Sequence, residues 1–107
     1  MASGRLAGID LTAANTDLQL YACPNSRVAC ATVSFCNRNA TTVKVRLAVT
    51  TTTSPATTDY VVFDLPVAGN DFFERAGIVL ASGQYLYVRT DTSGVSVVAW
   101  GYEDSTT

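Results

Sequence analysis

Arg27-Val28-Ala29-Cys30-Ala31-Thr32-Val33-Ser34-Phe35-Cys36, the turn Asn37-Arg38-Asn39-Ala40, and the answering run Thr42-Val43-Lys44-Val45-Arg46-Leu47-Ala48-Val49-Thr50 decide how this chain folds. Apolar side chains recur at every second position in both runs, which is the period of a strand and not of a helix. Ala29, Ala31, Val33 and Phe35 form the predicted core face of the first run. Val28, Cys30, Thr32, Ser34 and Cys36 form its other face. In the second run Val43, Val45, Leu47 and Val49 point inward, with Lys44, Arg46 and Ala48 outward. Asparagine tolerates left-handed backbone angles and bonds its own main chain, so the residues between the runs read as a turn. The spacing predicts an antiparallel hairpin.

Upstream, Asp17 to Cys23 reads as a strand with Leu18, Leu20 and Ala22 on one face, closed by the turn Pro24-Asn25-Ser26. Residues 1–14 scatter Leu6, Ile9 and Leu11 among glycines and alanines. They read as an extended N-terminal arm, apolar enough to lie against a neighbouring subunit. Downstream, the polar stretch Thr50 to Thr58 is a loop and Tyr60 to Leu65 a strand that stops at Pro66. Gly69-Asn70 turns the chain into Phe72 to Leu80, where Gly77 marks a bulge or a close approach. Gln84 to Thr90 and Val95 to Glu103 form a second predicted hairpin around Asp91-Thr92-Ser93-Gly94. Residues 104–107 read as a polar tail. The expected fold is all-β: an antiparallel β-sandwich over residues 15–103, jelly-roll or Ig-like, with seven or eight strands and no helix.

Composition narrows what such a domain does. The 107 residues include no histidine, so no side chain has an unperturbed pKa near neutrality and the commonest metal ligand is missing. The usual serine triad is excluded with it. Charged residues are 15% of the chain, against about 25% in an average domain, so the surface is mostly threonine, serine and asparagine. Such a surface suits a protein packed against neighbours, where desolvating ions is costly. The seven Lys and Arg are dispersed and the net charge is −2, which argues against nucleic acid as a partner. No apolar run reaches the length of a signal peptide or a membrane span, so the expected site of synthesis is the cytoplasm, without membrane association.

Three cysteines cannot all pair within one chain. Cys30 and Cys36 lie about 20 Å apart along one strand and cannot bond to each other. Cys23 and Cys30 flank a turn and could face one another, but free thiols are the expectation. No cofactor and no metal site are expected: the cysteines lack a fourth zinc ligand, and the turn aspartates Asp59, Asp64, Asp71 and Asp91 lack calcium-loop spacing. Asp71 and Glu74 could in principle form a hydrolytic carboxylate pair, but they read as turn and surface charges. No catalytic residue is assigned.

The candidate contact residues are aromatic. Phe72 and Phe73 are adjacent in a strand, so one of them must leave the core. Tyr85 and Tyr87 share a face, as do Trp100 and Tyr102 on the next strand, and together they would make an aromatic patch if the faces coincide. Leu6, Ile9, Leu11, Phe72, Phe73, Trp100 and Tyr102 are the expected interface.

The stretch Ser34-Phe35-Cys36-Asn37-Arg38-Asn39-Ala40-Thr41-Thr42-Val43-Lys44-Val45-Arg46-Leu47-Ala48 resembles small virion structural proteins of tailed bacteriophages. So do Phe73-Glu74-Arg75-Ala76-Gly77-Ile78-Val79-Leu80, the closing Val95 to Glu103 and the opening Met1 to Leu6. The resemblance implies a non-enzymatic β-sandwich present in many copies in the particle, a homo-oligomer there. Its partners would be other virion proteins such as the major capsid protein or tail components. A capsid decoration or cement subunit bracing a repeated interface is the first expectation. A tail, neck or fibre module binding a host-surface carbohydrate or receptor is the alternative.

Overall fold

The alternating runs become eight strands in a computed structural model that describes residues 2–106. They are β1 (Ala2–Leu11), β2 (Leu18–Ala22), β3 (Arg27–Asn37), β4 (Val43–Thr50), β5 (Tyr60–Val67), β6 (Phe72–Leu80), β7 (Tyr85–Thr90) and β8 (Val95–Ser105). One sheet has the order β1-β8-β3-β6 and the other β2-β7-β4-β5, all antiparallel. The first strand pairs with the last, the second with the seventh, the third with the sixth and the fourth with the fifth. That nesting is a jelly roll, one of the two sandwiches the sequence left open.

The core is the space between the sheets, filled from alternate positions. Ala29, Ala31, Val33 and Phe35 of β3 and Val95, Val97 and Ala99 of β8 face Val43, Val45 and Leu47 of β4 and Leu86 and Val88 of β7. Burying a side chain of this size contributes roughly 1.5–3 kcal/mol, so these residues carry much of the fold's stability.

Both expected hairpins are corrected. β3 and β4 lie in opposite sheets, as do β7 and β8. A polar turn between two alternating runs serves a hairpin or a crossover equally well, and two fully apolar faces gain more by closing on each other across the sandwich. Asn37, 1% exposed, fixes the first crossover. Its amide donates to the carbonyls of Thr41, Val67 and Ala68 at 2.9–3.1 Å, and its Oδ1 accepts from the Asn39 backbone N–H at 2.9 Å. One side chain thus ties the β3–β4 and β5–β6 connections together.

The N-terminal arm is corrected as well. Residues 2–11 form β1, an edge strand paired along β8 from Ala2↔Glu103 to Leu11↔Val95. The register shifts between Arg5 and Ala7, leaving Leu6 as an extra residue. Leu11 is fully buried, and Leu6 and Ile9 pack on the core cluster. Their apolar surface is used by the chain's own interior. Met1 lies outside the described residues. The polar tail shortens too, since β8 continues through Asp104 and Ser105; Thr107 is not described.

Bulges explain the remaining departures. In β2 the register shifts between Gln19 and Tyr21, so Leu20 and Tyr21 are both buried where alternation would bury only one. In β6 the residues Ala76 and Gly77 stand opposite the single residue Thr32, with Gly77 at φ +74°, the expected bulge. β5 shifts twice against β4, once around Val61 and once at Phe63-Asp64, where Asp64 takes φ +52°.

Candidate functional site

The outer face of the β1-β8-β3-β6 sheet is built by cross-strand rows. One row runs Val79, Cys30, Tyr102, Ser3; the next holds Thr32, Trp100 and Arg5. Then come Glu74, Ser34, Val98, Gly8, and finally Phe72, Cys36, Ser96, Asp10. From residue 28 to 36 of β3 and from 96 to 102 of β8, the two central strands present no charged side chain outward. Charges stand only at the margin: Arg5 and Asp10 on β1, Glu74 on β6 and Asp104 near the end of β8. Asp10 is also ion-paired with Arg38.

Among the described residues, four of the six exposed large apolar side chains lie on this face: Phe72 (61% exposed), Val79 (62%), Tyr102 (47%) and Trp100 (37%). The strip between Phe72 and Val79 measures roughly 14 by 20 Å from strand spacing and rise, about 300 Å² in plan. Exposed patches of about 300–600 Å² are often functional in soluble monomers.

Of the expected contact residues, Phe72, Trp100 and Tyr102 come together here. Phe73 points the other way and its ring packs on Phe35, with centroids 6.4 Å apart. Leu6, Ile9 and Leu11 face the core. The expected joining of Tyr85 and Tyr87 with Trp100 and Tyr102 does not occur, because β7 and β8 belong to different sheets. Tyr85 and Tyr87 instead lie beside each other on the opposite face, where the Tyr87 hydroxyl donates to Gln19.

That opposite face holds a site that alternation could not reveal. The double bulge in β5 carries Tyr60 and Phe63 to the same side as Arg46 of β4. Arg46 Nε donates to Asp64 Oδ1 at 2.6 Å and Nη2 to Oδ2 at 3.2 Å, a two-point contact. The hydrogen bond from Arg46 holds the Asp64 carboxyl below its ordinary value, and the same bond raises the guanidinium. The guanidinium carbon lies 4.0 Å from the Phe63 ring centroid and 5.8 Å from that of Tyr60. Tyr60 meets Phe63 edge to face at 5.0 Å. Thr57, Tyr60 and Phe63 line an open hollow of about 400 Å³.

The titratable groups elsewhere serve structure. Burial, then the hydrogen bond to Glu103, raises the Tyr21 hydroxyl well above its ordinary value, and that contact joins β2 to β8 across the sandwich. Asp71 accepts from the Phe72 backbone N–H at 2.8 Å, while Glu74 sits opposite Ser34 on the outer face. All three cysteines are free thiols: Cys23 buried, Cys30 half-buried, Cys36 exposed. Among the described residues no group of three or more His, Cys, Asp or Glu could hold a metal ion.

Compared with known proteins, the chain matches no family model, no curated protein and no solved structure.

Proposed function

We infer that this chain is a non-enzymatic structural subunit of a bacteriophage particle, docking through the outer face of its β1-β8-β3-β6 sheet as a decoration or cement protein. The observation that carries the reading is the uncharged centre of that face, with Phe72, Val79, Trp100 and Tyr102 exposed on it. Desolvating such a surface costs little, and tryptophan and tyrosine are the residues that dominate contact energies. The jelly roll itself is shared by viral capsid domains, lectins and cupins, so it supports the reading only by analogy. Area adds a physical argument. A stable one-to-one complex buries about 800 Å² per partner, and this strip offers little more than a third of that. One copy would bind weakly, whereas many copies that also touch each other gain by avidity. A repeated lattice is the setting that rewards this surface.

Phe72→Ser combined with Val79→Lys tests it, since both side chains stand clear of the core and the change should cost the free chain no more than about 1 kcal/mol. Electron microscopy of native particles should place this face against another virion protein, and the double variant should join particles at reduced occupancy. Full occupancy with unchanged resistance to heat and osmotic shock would overturn the assignment.

A further inference from the structure

The hollow at Thr57, Tyr60 and Phe63 lies on the β2-β7-β4-β5 face, on the far side of the sandwich from the docking face. Its chemistry selects among ligands by what is already satisfied. A cation would seek the faces of Tyr60 and Phe63, but the chain's own Arg46 guanidinium already occupies that position, 4.0 Å from Phe63. An anion would seek Arg46, but both carboxylate oxygens of Asp64 are bonded to it. The two charges cancel and hold each other still. A peptide strand adding to the edge of β5 would need a regular ladder, and the two register shifts in β5 deny it one.

What remains is a neutral ligand with one flat apolar face and a hydroxylated edge. Phe63 is still 57% exposed, so the ring surface that Arg46 leaves open can take the apolar face. The hydroxyls of Thr57 and Tyr60 offer donors and acceptors for the edge, and the fixed Arg46–Asp64 pair behind Phe63 holds that ring in place. The volume, about 400 Å³, falls within the roughly 300–1,000 Å³ of small-ligand sites. We propose that this hollow is a binding site for an uncharged sugar, with a pyranose ring stacked on Phe63 and its hydroxyls held by Thr57 and Tyr60. The site goes beyond the structural role and stands apart from it: a chain docked through the opposite face would present this one outward.

The test uses the free full-length chain, so its outcome is independent of particle assembly. Methyl glycosides of glucose, galactose and mannose, and N-acetylglucosamine, are titrated into isotope-labelled protein and followed by NMR. At least one should shift the Tyr60 and Phe63 ring resonances and the Arg46 Nε–H, saturating at millimolar concentration. Phe63→Ala, at an exposed position, should weaken that binding at least about tenfold with a native spectrum elsewhere. Trp100→Ala, on the other face, should leave it unchanged. Asp64→Asn should newly admit N-acetylneuraminic acid by releasing the Arg46 charge. Absence of any shift with all four sugars would overturn the proposal. So would a response of the unaltered chain to choline or N-acetylneuraminic acid, shifts that survive Phe63→Ala, or binding of an apolar peptide at this hollow in preference to sugars.

Discussion

Gly101 sits between Trp100 and Tyr102 in β8, one of the two central strands of the β1-β8-β3-β6 sheet, and replacing it with alanine probes how closely β8 approaches β3. A Cβ there would lie 1.9 Å from the Cys30 carbonyl oxygen, 3.0 Å from its carbon and 3.1 Å from Ala31 Cα. All three are backbone atoms, so no side chain can turn away. Relief requires the two strands to part by more than about 1 Å, which breaks the nearest ladder hydrogen bonds at about 1 kcal/mol each. The backbone at φ +150° adds strain of about 1–2 kcal/mol for a residue with a Cβ. Gly101→Ala should therefore cost about 3–5 kcal/mol, a large share of the roughly 5–15 kcal/mol that holds a domain together. Gly77→Ala is the matched control. Its φ is +74°, but a Cβ there meets nothing within 4 Å, so only the strain of about 1–2 kcal/mol applies. Urea denaturation followed by circular dichroism measures both, and the difference between them isolates the collision with β3. If Gly101→Ala lies within about 0.5 kcal/mol of Gly77→Ala, the close approach described here does not exist.

Three further outcomes follow from single contacts. Phe73→Ser should destabilise the chain by about 2–3 kcal/mol through loss of packing on Phe35, while Phe72→Ser stays within about 1 kcal/mol; equal losses in a denaturation series would contradict their opposite orientations. Tyr21 has a folded-state pKa raised above its unfolded value near 10, so its contribution is fully present below pH 10 and fades as pH climbs through the folded value. The difference in 295 nm absorbance between the chain and Tyr21→Phe should thus rise only above pH 10, and a midpoint at the ordinary tyrosine value would refute the buried contact. Alkylation under native conditions should modify Cys36 first, Cys30 more slowly and Cys23 only on unfolding, because burial also pushes the Cys23 thiol up; mass spectrometry of denatured, unreduced protein should find all three modified.

Strand positions were legible in the sequence, whereas strand partners were not. Alternation in Ala29-Cys30-Ala31-Thr32-Val33-Ser34-Phe35 fixes which side is core, and the structure places those residues there. It carries no information on whether Val43 to Thr50 returns beside β3 or opposite it, since either arrangement buries the same faces. Bulges set the second limit. Leu6 breaks the period of β1, so Leu6, Ile9 and Leu11 look like a patternless arm although all pack against the core. The Arg46–Asp64–Phe63–Tyr60 site escaped for the same reason, because two extra residues in β5 move side chains off the alternation. An aspartate in the middle of a strand was the one hint, and a lone charge on an edge strand is ordinarily a guard against aggregation. On the outer face of the β1-β8-β3-β6 sheet, the Phe72-Phe73 dipeptide identified a side chain that must leave the core, and geometry chose Phe72.

The nested pairing of strands has a consequence for the time this chain takes to form. Only β4 and β5 are both consecutive and paired, so the first ladder must close around residues 51–59. Each later ladder encloses the one before it: β3 with β6, then β2 with β7, and last β1 with β8, where Ser3 meets Tyr102 from the far ends of the chain. Topologies dominated by such distant pairings fold in milliseconds to seconds and not in microseconds. During that interval β8 waits without its outer neighbour, the N–H and C=O groups of its edge unpaired. A nascent chain is thus at its most adhesive just before its two ends meet, and conditions that slow this last step should raise the share lost to aggregation.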